Sequence, residues 1–416
     1  MNLPPMCRIR QHFDKTRVTD LPTSVLAELN QLPWDKLQPG DRVAIAAGSR
    51  GIANFADIIL AIVDFLKSLD TRPFLIPAMG SHGGATAEGQ VAVLAELGVT
   101  EAVVQAPILA SMDVEQIGLT EDGVPVFLDK YALEADHIVV VNRIKSHTKF
   151  KASIESGLLK MMSVGMGKHT GAAYYHKAAI QYTFAKVIRD AARIVLRRAP
   201  ILCAVGIVEN GYGQTARIAA LRPDAIETGE EKLLILSKKM MAQLPFNEID
   251  LLIIDEMGKN ISGVGFDPNV TGRNRDLMGA FSHPARIKRI FVRDLTDQSK
   301  GNAIGIGLAD ITTQRLVDKI DYAVTYKNCI TGTSLEKGAV PMHFSSDRQA
   351  IEVALESIGL IPAAMSKIVR IQNTLQLEFL EASEACIQEL RPGNDVEIIK
   401  GPELMEFDSH NNLLAL

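Results

Sequence analysis

A short apolar run, His137–Val141 (HIVVV), leads into a stretch that a protein core cannot absorb. From Arg143 to His176 the chain reads RIKSHTKFKASIESGLLKMMSVGMGKHTGAAYYH, with three histidines (His147, His169, His176) and five lysines (Lys145, Lys149, Lys151, Lys160, Lys168) set among glycines. Burying such groups without partners is costly, and imidazoles and amines do acid–base and nucleophilic chemistry near neutral pH. The apolar run has the length and composition of a strand buried on both faces. The two together point to a parallel sheet whose working loops leave the C-terminal ends of its strands.

The same alternation recurs on both sides of this stretch. Asp41–Ala47 reads as a buried strand followed by the loop GSRGIANF, and Ala56–Leu69 has helical apolar spacing. Arg72–Ala78 is a second strand, ending in MGSHGGAT. Ala87–Leu97 reads as a helix, with Thr86 as its N-cap and Gly98 as its stop. A strand pair is expected over Val114–Phe127, turning at Asp122–Gly123. Tyr182–Arg198 reads as an amphipathic helix halted by Pro200, and Ile201–Val208 as a strand. Beyond Leu244–Asn247 a new strand, LLIID, opens a long loop. Ile287–Val292 and Tyr322–Tyr326 are expected as strands, GNAIGIGLADI as a glycine-rich turn and Asp347–Ile358 as a helix. From Ile368 the tail has strand character.

Such alternation predicts an α/β protein: two α/β domains with largely parallel sheets and a cleft between them. Residues 1–245 form the first, carrying the histidines and Lys160. Residues 246–365 form the second and close the cleft, and 366–416 are a tail packing back on the domains.

At 416 residues the chain is long enough for this. A net charge of −5 and 5% aromatic residues leave no footprint for nucleic acid. No run reaches the roughly 18 apolar residues of a membrane span, and Met1–Arg10 has no signal-peptide pattern. The four cysteines, Cys7, Cys203, Cys329 and Cys386, form no CxxC pair, so standard cysteine-based zinc and iron–sulfur motifs are excluded. A cytoplasmic protein with reduced thiols is expected.

Each candidate group has an ordinary explanation beside a chemical one. Arg50, in GSR after the first strand, suits a bidentate carboxylate or phosphate, or is a turn arginine at the surface. His82, in GSHGGAT, sits where glycines let backbone approach a ligand, and it is either a general base or a solvated turn residue. His147, His169 and His176 are metal ligands or hydrogen-bonded structural histidines. The last two share a helical face by spacing, although the intervening glycines argue against a regular helix. Lys160, among leucines and methionines, is a desolvated nucleophile or a snorkelling surface lysine. Glu256 and Lys259 (EMGK) open the long loop of the second half and form a reactive or merely solvated pair. GNAIGIG lacks GK[ST] and the GxGxxG register, so it reads as a turn.

Taken together, these motifs resemble the nickel-pincer lactate racemase family. The resemblance is strongest from Arg50 to His176. In that family an arginine follows the first strand and a GTHR-type turn carries a first catalytic histidine; here these are Arg50 and His82, flanked by Ser81 and Gly83. A second catalytic histidine precedes an SGG-x-K motif, matched by His147 and by Ser156–Gly157 and Lys160. The family's nickel-binding histidine lies sixteen residues after that lysine, which selects His176 over His169. A Gln-x-x-Lys pair of the second domain corresponds to Glu256 and Lys259.

The resemblance implies an isomerase, a racemase or epimerase inverting carbon 2 of a 2-hydroxy acid by transient hydride transfer. Its cofactor would be the nickel-pincer nucleotide (pyridinium-3-thioamide-5-thiocarboxylic acid mononucleotide with nickel), tethered by Lys160 and ligated by His176. Ser81, Gly83, Ser156 and Gly157 would line the cofactor. His82 and His147 would serve as acid–base groups on opposite faces, and Arg50, Glu256 and Lys259 would bind substrate. Ala47 replaces an acidic residue of the family, SGL replaces SGG, and Glu256 replaces a glutamine. These differences surround the substrate and imply a small 2-hydroxy acid or sugar acid other than lactate. Cofactor-making enzymes are the expected partners, with no nucleic acid and no membrane, and a homo-oligomer is left open. Two other readings use the same residues: a non-catalytic hydroxy-acid or sugar-acid binding protein, and a lyase using Lys160 as a Schiff base.

Overall fold

The computed structural model describes residues 1–48, 51–277, 281–390 and 395–416. The chain divides into two compact units, one continuous over Asp14–Met241, the other built from Met1–Phe13 and Ala242–Leu416. The first strand, β1 (Met6–Gln11), belongs to the second of these.

In the continuous unit, strands β2 (Arg42–Ala47) and β3 (Arg72–Pro77) are followed by a separate antiparallel hairpin, β4 (Val114–Leu119) and β5 (Pro125–Asp129). Then come β6 (His137–Arg143), β7 (Ile201–Glu209) and β8 (Thr215–Leu221). The main sheet has the order β3-β2-β6-β7-β8, parallel except for β8. Its inner strands are apolar without alternation because helices cover both faces; Ile138, Val139, Val140 and Val141 are all within 1% of complete burial. The helix Phe55–Ser68 buries Phe55, Ile58, Ile59, Ile62, Val63 and Leu66, the stripe expected of a helix laid on a sheet. Each such side chain contributes about 1.5–3 kcal/mol on leaving water. Helix Ala87–Glu96 starts where expected: Thr86 accepts a hydrogen bond from the Gly89 N–H at 3.0 Å, and Gly98 ends the segment at φ +76°.

From β2 the chain moves to β3 on one side and later returns as β6 on the other. The loops after β2 and β6 therefore diverge at a switch point, the usual ligand crevice of open parallel sheets.

The other unit continues with β9 (Glu248–Met257), β10 (Arg286–Leu295), β11 (Ile311–Thr313), β12 (Met342–Phe344), β13 (Ile368–Asn373), β14 (Gln376–Ser383) and β15 (Val396–Glu403). With β1 they form one sheet, β12-β11-β10-β9-β13-β14-β1-β15, parallel from β12 to β13 and antiparallel beyond. The expected domain limits shift accordingly. The division falls at residue 241 rather than 245, the first thirteen residues cross to the second unit, and the tail after residue 365 is not an appendage but supplies three strands of the sheet.

Two local expectations are corrected. Tyr322–Tyr326 is not a strand: it lies in the helix Tyr322–Thr331, whose N-terminus is closed by Asp321 accepting from Val324 N–H at 3.0 Å. Lys168–Tyr182 is a regular helix despite its glycine, because Gly171 lets the Tyr175 ring lie against the backbone; a Cβ there would stand 3.1 Å from that ring. Among the described residues no helix is long and apolar enough to cross a membrane, and all four cysteines are buried thiols.

Candidate active site

The site is built from the loop after β6. Lys145 and Ser156 close it, exchanging backbone hydrogen bonds of 2.8 and 3.2 Å. Inside this loop the buried Glu155 carboxylate accepts from the backbone N–H of His147 (2.7 Å) and of Ala152 (3.1 Å), and it pairs with Lys238 Nζ at 2.6 Å. His147 is thereby fixed at its backbone, and its side chain is almost wholly buried. The ring is equally constrained. Nδ1 accepts the Lys149 backbone N–H at 3.1 Å, Nε2 lies 2.8 Å from Lys160 Nζ, and Phe150 stacks on one face with centroids 4.5 Å apart. With Nδ1 occupied as an acceptor, the neutral ring carries its proton on Nε2, facing the amine.

Lys160 ends a single helical turn, Leu158–Lys160, that continues as the π-helical segment Met161–Gly165. Such segments are uncommon and concentrate at functional sites. The turn is held from beneath. Glu230, fully buried on helix Ile226–Met240, accepts from Leu159 N–H at 2.8 Å, and Asn142 Nδ2 donates to Gly157 O at 2.9 Å. Gly157 is obligatory there, since a Cβ would come within 2.2 Å of Glu230 Oε1. Burial pushes the Glu230 carboxyl up to about 7, against the pull of the Leu159 and Leu158 N–H groups, and leaves Oε1 without a hydrogen-bond partner among the described residues.

His176 lies midway along helix Lys168–Tyr182, its ring stacked on Phe184 at 4.8 Å. Phe184 also meets the edge of His147, at 5.6 Å, so one phenyl ring joins both imidazoles. His176 Nδ1 is sealed from solvent with no partner among the described residues. Burial, reinforced by the charges of Lys149 and Lys160, holds this imidazole well below its ordinary 6.5. A neutral imidazole with an uncommitted buried nitrogen is the form that ligates a metal. Among the described residues no group of three His, Cys, Asp or Glu side chains is arranged to chelate an ion. A metal held here by His176 must therefore arrive with most of its own donors, and the residues fit a metal carried by an organic pincer better than a bare ion. His169, on the first turn of the same helix, is exposed.

The His82 turn crosses this segment backbone to backbone. Gly80 N–H donates to Gly165 O at 3.1 Å, and a Cβ on Gly165 would stand 2.7 Å from Ala78 O. Ser81 and His82 are half-buried, and Gly83 adopts φ +62° where a Cβ would strike Gly89. His82, His147, Lys160 and His176 thus all belong to the continuous unit. Arg50 lies outside the described residues.

Glu256 and Lys259 belong to the other unit, at the end of β9. Glu256 Oε1 accepts from Asn373 Nδ2 at 2.9 Å. Lys259 Nζ donates to Asn328 Oδ1 (2.6 Å) and Gly263 O (2.9 Å), and its backbone N–H to Ser299 Oγ (2.8 Å). The two are held by separate partners.

Sequence reasoning missed Glu155, Phe150, Phe184 and Glu230. Glu230 alone had a usable signal: it falls on the buried stripe of its helix with Ile226, Leu233 and Leu234, where a carboxylate demands a partner.

The family model described as "Lactate racemase N-terminal domain" matches residues 35–186, the span that holds His82, His147, Lys160 and His176. Among solved structures, the lactate racemase apoprotein from Thermoanaerobacterium thermosaccharolyticum aligns over 88% of this chain and 98% of its own, with TM-score 0.53 and 14% identity. A structural-genomics protein from Thermotoga maritima aligns over 87% and 98%, with TM-score 0.54 and 12% identity. At these identities the structural likeness speaks for the fold. No curated protein sequence matches. Through residues 35–186, then, the chain is similar to the proteins that carry a lactate racemase N-terminal domain.

Proposed function

We propose that this protein is a racemase or epimerase that inverts carbon 2 of a small 2-hydroxy acid or sugar acid, using a nickel-pincer nucleotide. The observation that carries this reading is the cluster Lys160–His147–Phe184–His176: an amine 2.8 Å from an imidazole, and a second imidazole with a buried, uncommitted nitrogen, in the segment matching the racemase domain. Such a nucleotide, when bound, supplies a hydride acceptor. Lys160 is the tether and His176 the protein's ligand to the metal, while Ser81, Gly83, Ser156 and Gly157 lie on the two turns we assign to the rest of the cofactor.

The protein's own groups handle protons and charge. An acylated Lys160 nitrogen has no basic lone pair, which leaves the proton on His147 Nε2 free to pass to the substrate's carbon-2 oxygen; Glu155, through the His147 backbone, and the Lys149 N–H, at the ring, hold that imidazole in place. His82 serves the opposite face. Arg50 and Lys259 are the cations assigned to the substrate carboxylate, and Glu256 is assigned to a hydroxyl, which disfavours lactate. The buried thiols suit a reducing cytoplasm, and cofactor-making enzymes are the partners.

The test is co-expression with the cofactor-making enzymes, followed by intact-protein mass, nickel content and a screen of 2-hydroxy and sugar acids for exchange of the carbon-2 hydrogen. A covalent adduct, bound nickel and inversion of at least one acid are expected. Fully loaded protein that exchanges no such hydrogen overturns the catalytic reading. Borohydride trapping of Lys160 by a carbonyl substrate in metal-free protein would support a Schiff-base lyase in its place.

A further inference from the structure

One lysine of the reactive-looking stretch is absent from this chemistry. Lys168 is completely buried and sits at φ +52°, a left-handed conformation that an L-residue adopts only when its surroundings impose it. Its Nζ pairs with the fully buried Asp129 Oδ2 at 2.9 Å, donates to Gln90 Oε1 at 3.2 Å, and donates to the carbonyl of Pro77, the last residue of β3. Gln90 is also completely buried, in helix Ala87–Glu96, and its amide Nε2 donates to Gly80 O at 2.9 Å and His82 O at 3.4 Å.

The chemistry of the groups fixes the direction of this chain. An ammonium has only donors, so Gln90 must turn its oxygen to Lys168 and its NH₂ to the two carbonyls of the turn. An ordered relay results: Asp129 at the end of the hairpin, Lys168 at the head of the His176 helix, Gln90, and then the carbonyls on either side of Ser81. A buried ion pair is a poor device for stability alone, because apolar residues of similar volume commonly do as well. Direction is what an apolar filling cannot supply.

We propose that Gln90, oriented by Lys168, is a positioning residue that aims the His82 turn for proton transfer. This rests on the racemase reading insofar as His82 acts on substrate, while the contact itself stands apart from it. The test uses cofactor-loaded, full-length Gln90→Leu. Its Lys160 adduct should be retained and KM should stay within about two-fold, while kcat falls by about 10–100-fold, the usual size of a lost acid–base alignment. Amides of residues 80–85 should exchange with solvent at least about ten-fold faster, with helix Phe55–Ser68 unchanged. In a His82→Ala background the same substitution should cost almost nothing further, because Gln90 then has no base to aim. Unchanged protection of the turn, or losses that simply add in the double variant, overturns the proposal. If Gln90→Leu does not fold, Gln90→Glu keeps an acceptor for Lys168 but removes the donor to the turn, and it carries the same expectations. Should the wild-type protein invert no acid, the racemase reading falls, and the exchange comparison still decides whether Gln90 holds the turn.

Discussion

Lys160 and Lys259 each belong to a loop that follows an interior parallel strand, β6 in one unit and β9 in the other, yet their neighbours differ in kind. Lys259 Nζ faces the oxygens of Asn328 and Gly263, which accept hydrogen bonds and have no proton to give. Such oxygens take the N–H groups of a lysine and hold it in place, which suits it to meet an anionic substrate. Lys160 Nζ faces an imidazole nitrogen of His147, whose ring packs against Phe150 and Phe184. There a proton has a base on both sides, which suits an amine that must form a bond. The lysine does not announce its role; the atom opposite it does.

The largest way to break this contrast is to truncate each lysine in turn. Lys160→Ala should abolish the covalent adduct outright. Lys259→Ala should keep it and lose kcat/KM by about 10²–10³-fold, the scale of one lost electrostatic donor. Intact-protein mass spectrometry reads the first and steady-state kinetics the second; an adduct that survives Lys160→Ala would erase the distinction. Next in size, His176→Ala should lose nickel by more than the about 10–100-fold typical of removing a residue behind a metal ligand, with the adduct mass retained. Nickel content equal to wild type would remove His176 from the metal.

The smallest effect sharpens the comparison from below. Glu230 underpins the Lys160 turn, where the Lys259 backbone leans on the neutral hydroxyl of Ser299. Because burial raises the Glu230 carboxyl to about 7, the folded state keeps that proton longer than the unfolded chain. Its contribution is complete below about pH 4.5 and is lost as pH rises through about 7, a change of up to roughly 3 kcal/mol. Glu230→Gln, which keeps an acceptor for Leu159 N–H, should flatten the fall in stability between pH 5 and 7.5. Denaturant titrations across that range check it, and parallel slopes for the two proteins would clear Glu230 of the effect.

Much of the continuous unit was legible because its signals are local. Strands β2, β3, β6 and β7 are unbroken apolar runs, the hairpin turns at Gly123 with φ +76°, and Thr86 caps its helix. Spacing and motif also brought His147, Lys160 and His176 into one short segment. What stayed hidden depends on distant partners. Lys168 looked like its reactive neighbours, and only Asp129, on a hairpin far upstream, makes it a buried strut. Phe184 reads as one more core position of an amphipathic helix, and only the fold shows it serving two histidines. The helix at Tyr322 misled because tyrosine, valine and threonine favour strands, while a single preceding aspartate decided otherwise.

The placement of β1 has a consequence for how the molecule comes into being. Met6 pairs with Ser383 on one side and Glu403 on the other, so this strand is made long before either of its neighbours. At about 5–20 residues per second, ribosomal synthesis leaves it waiting for tens of seconds. The unit over Asp14–Met241 is unbroken in sequence and can close on itself during that time. Until the final strands emerge, β1 is an unpaired strand on a growing chain, and a chaperone or an early misfold would find it there first.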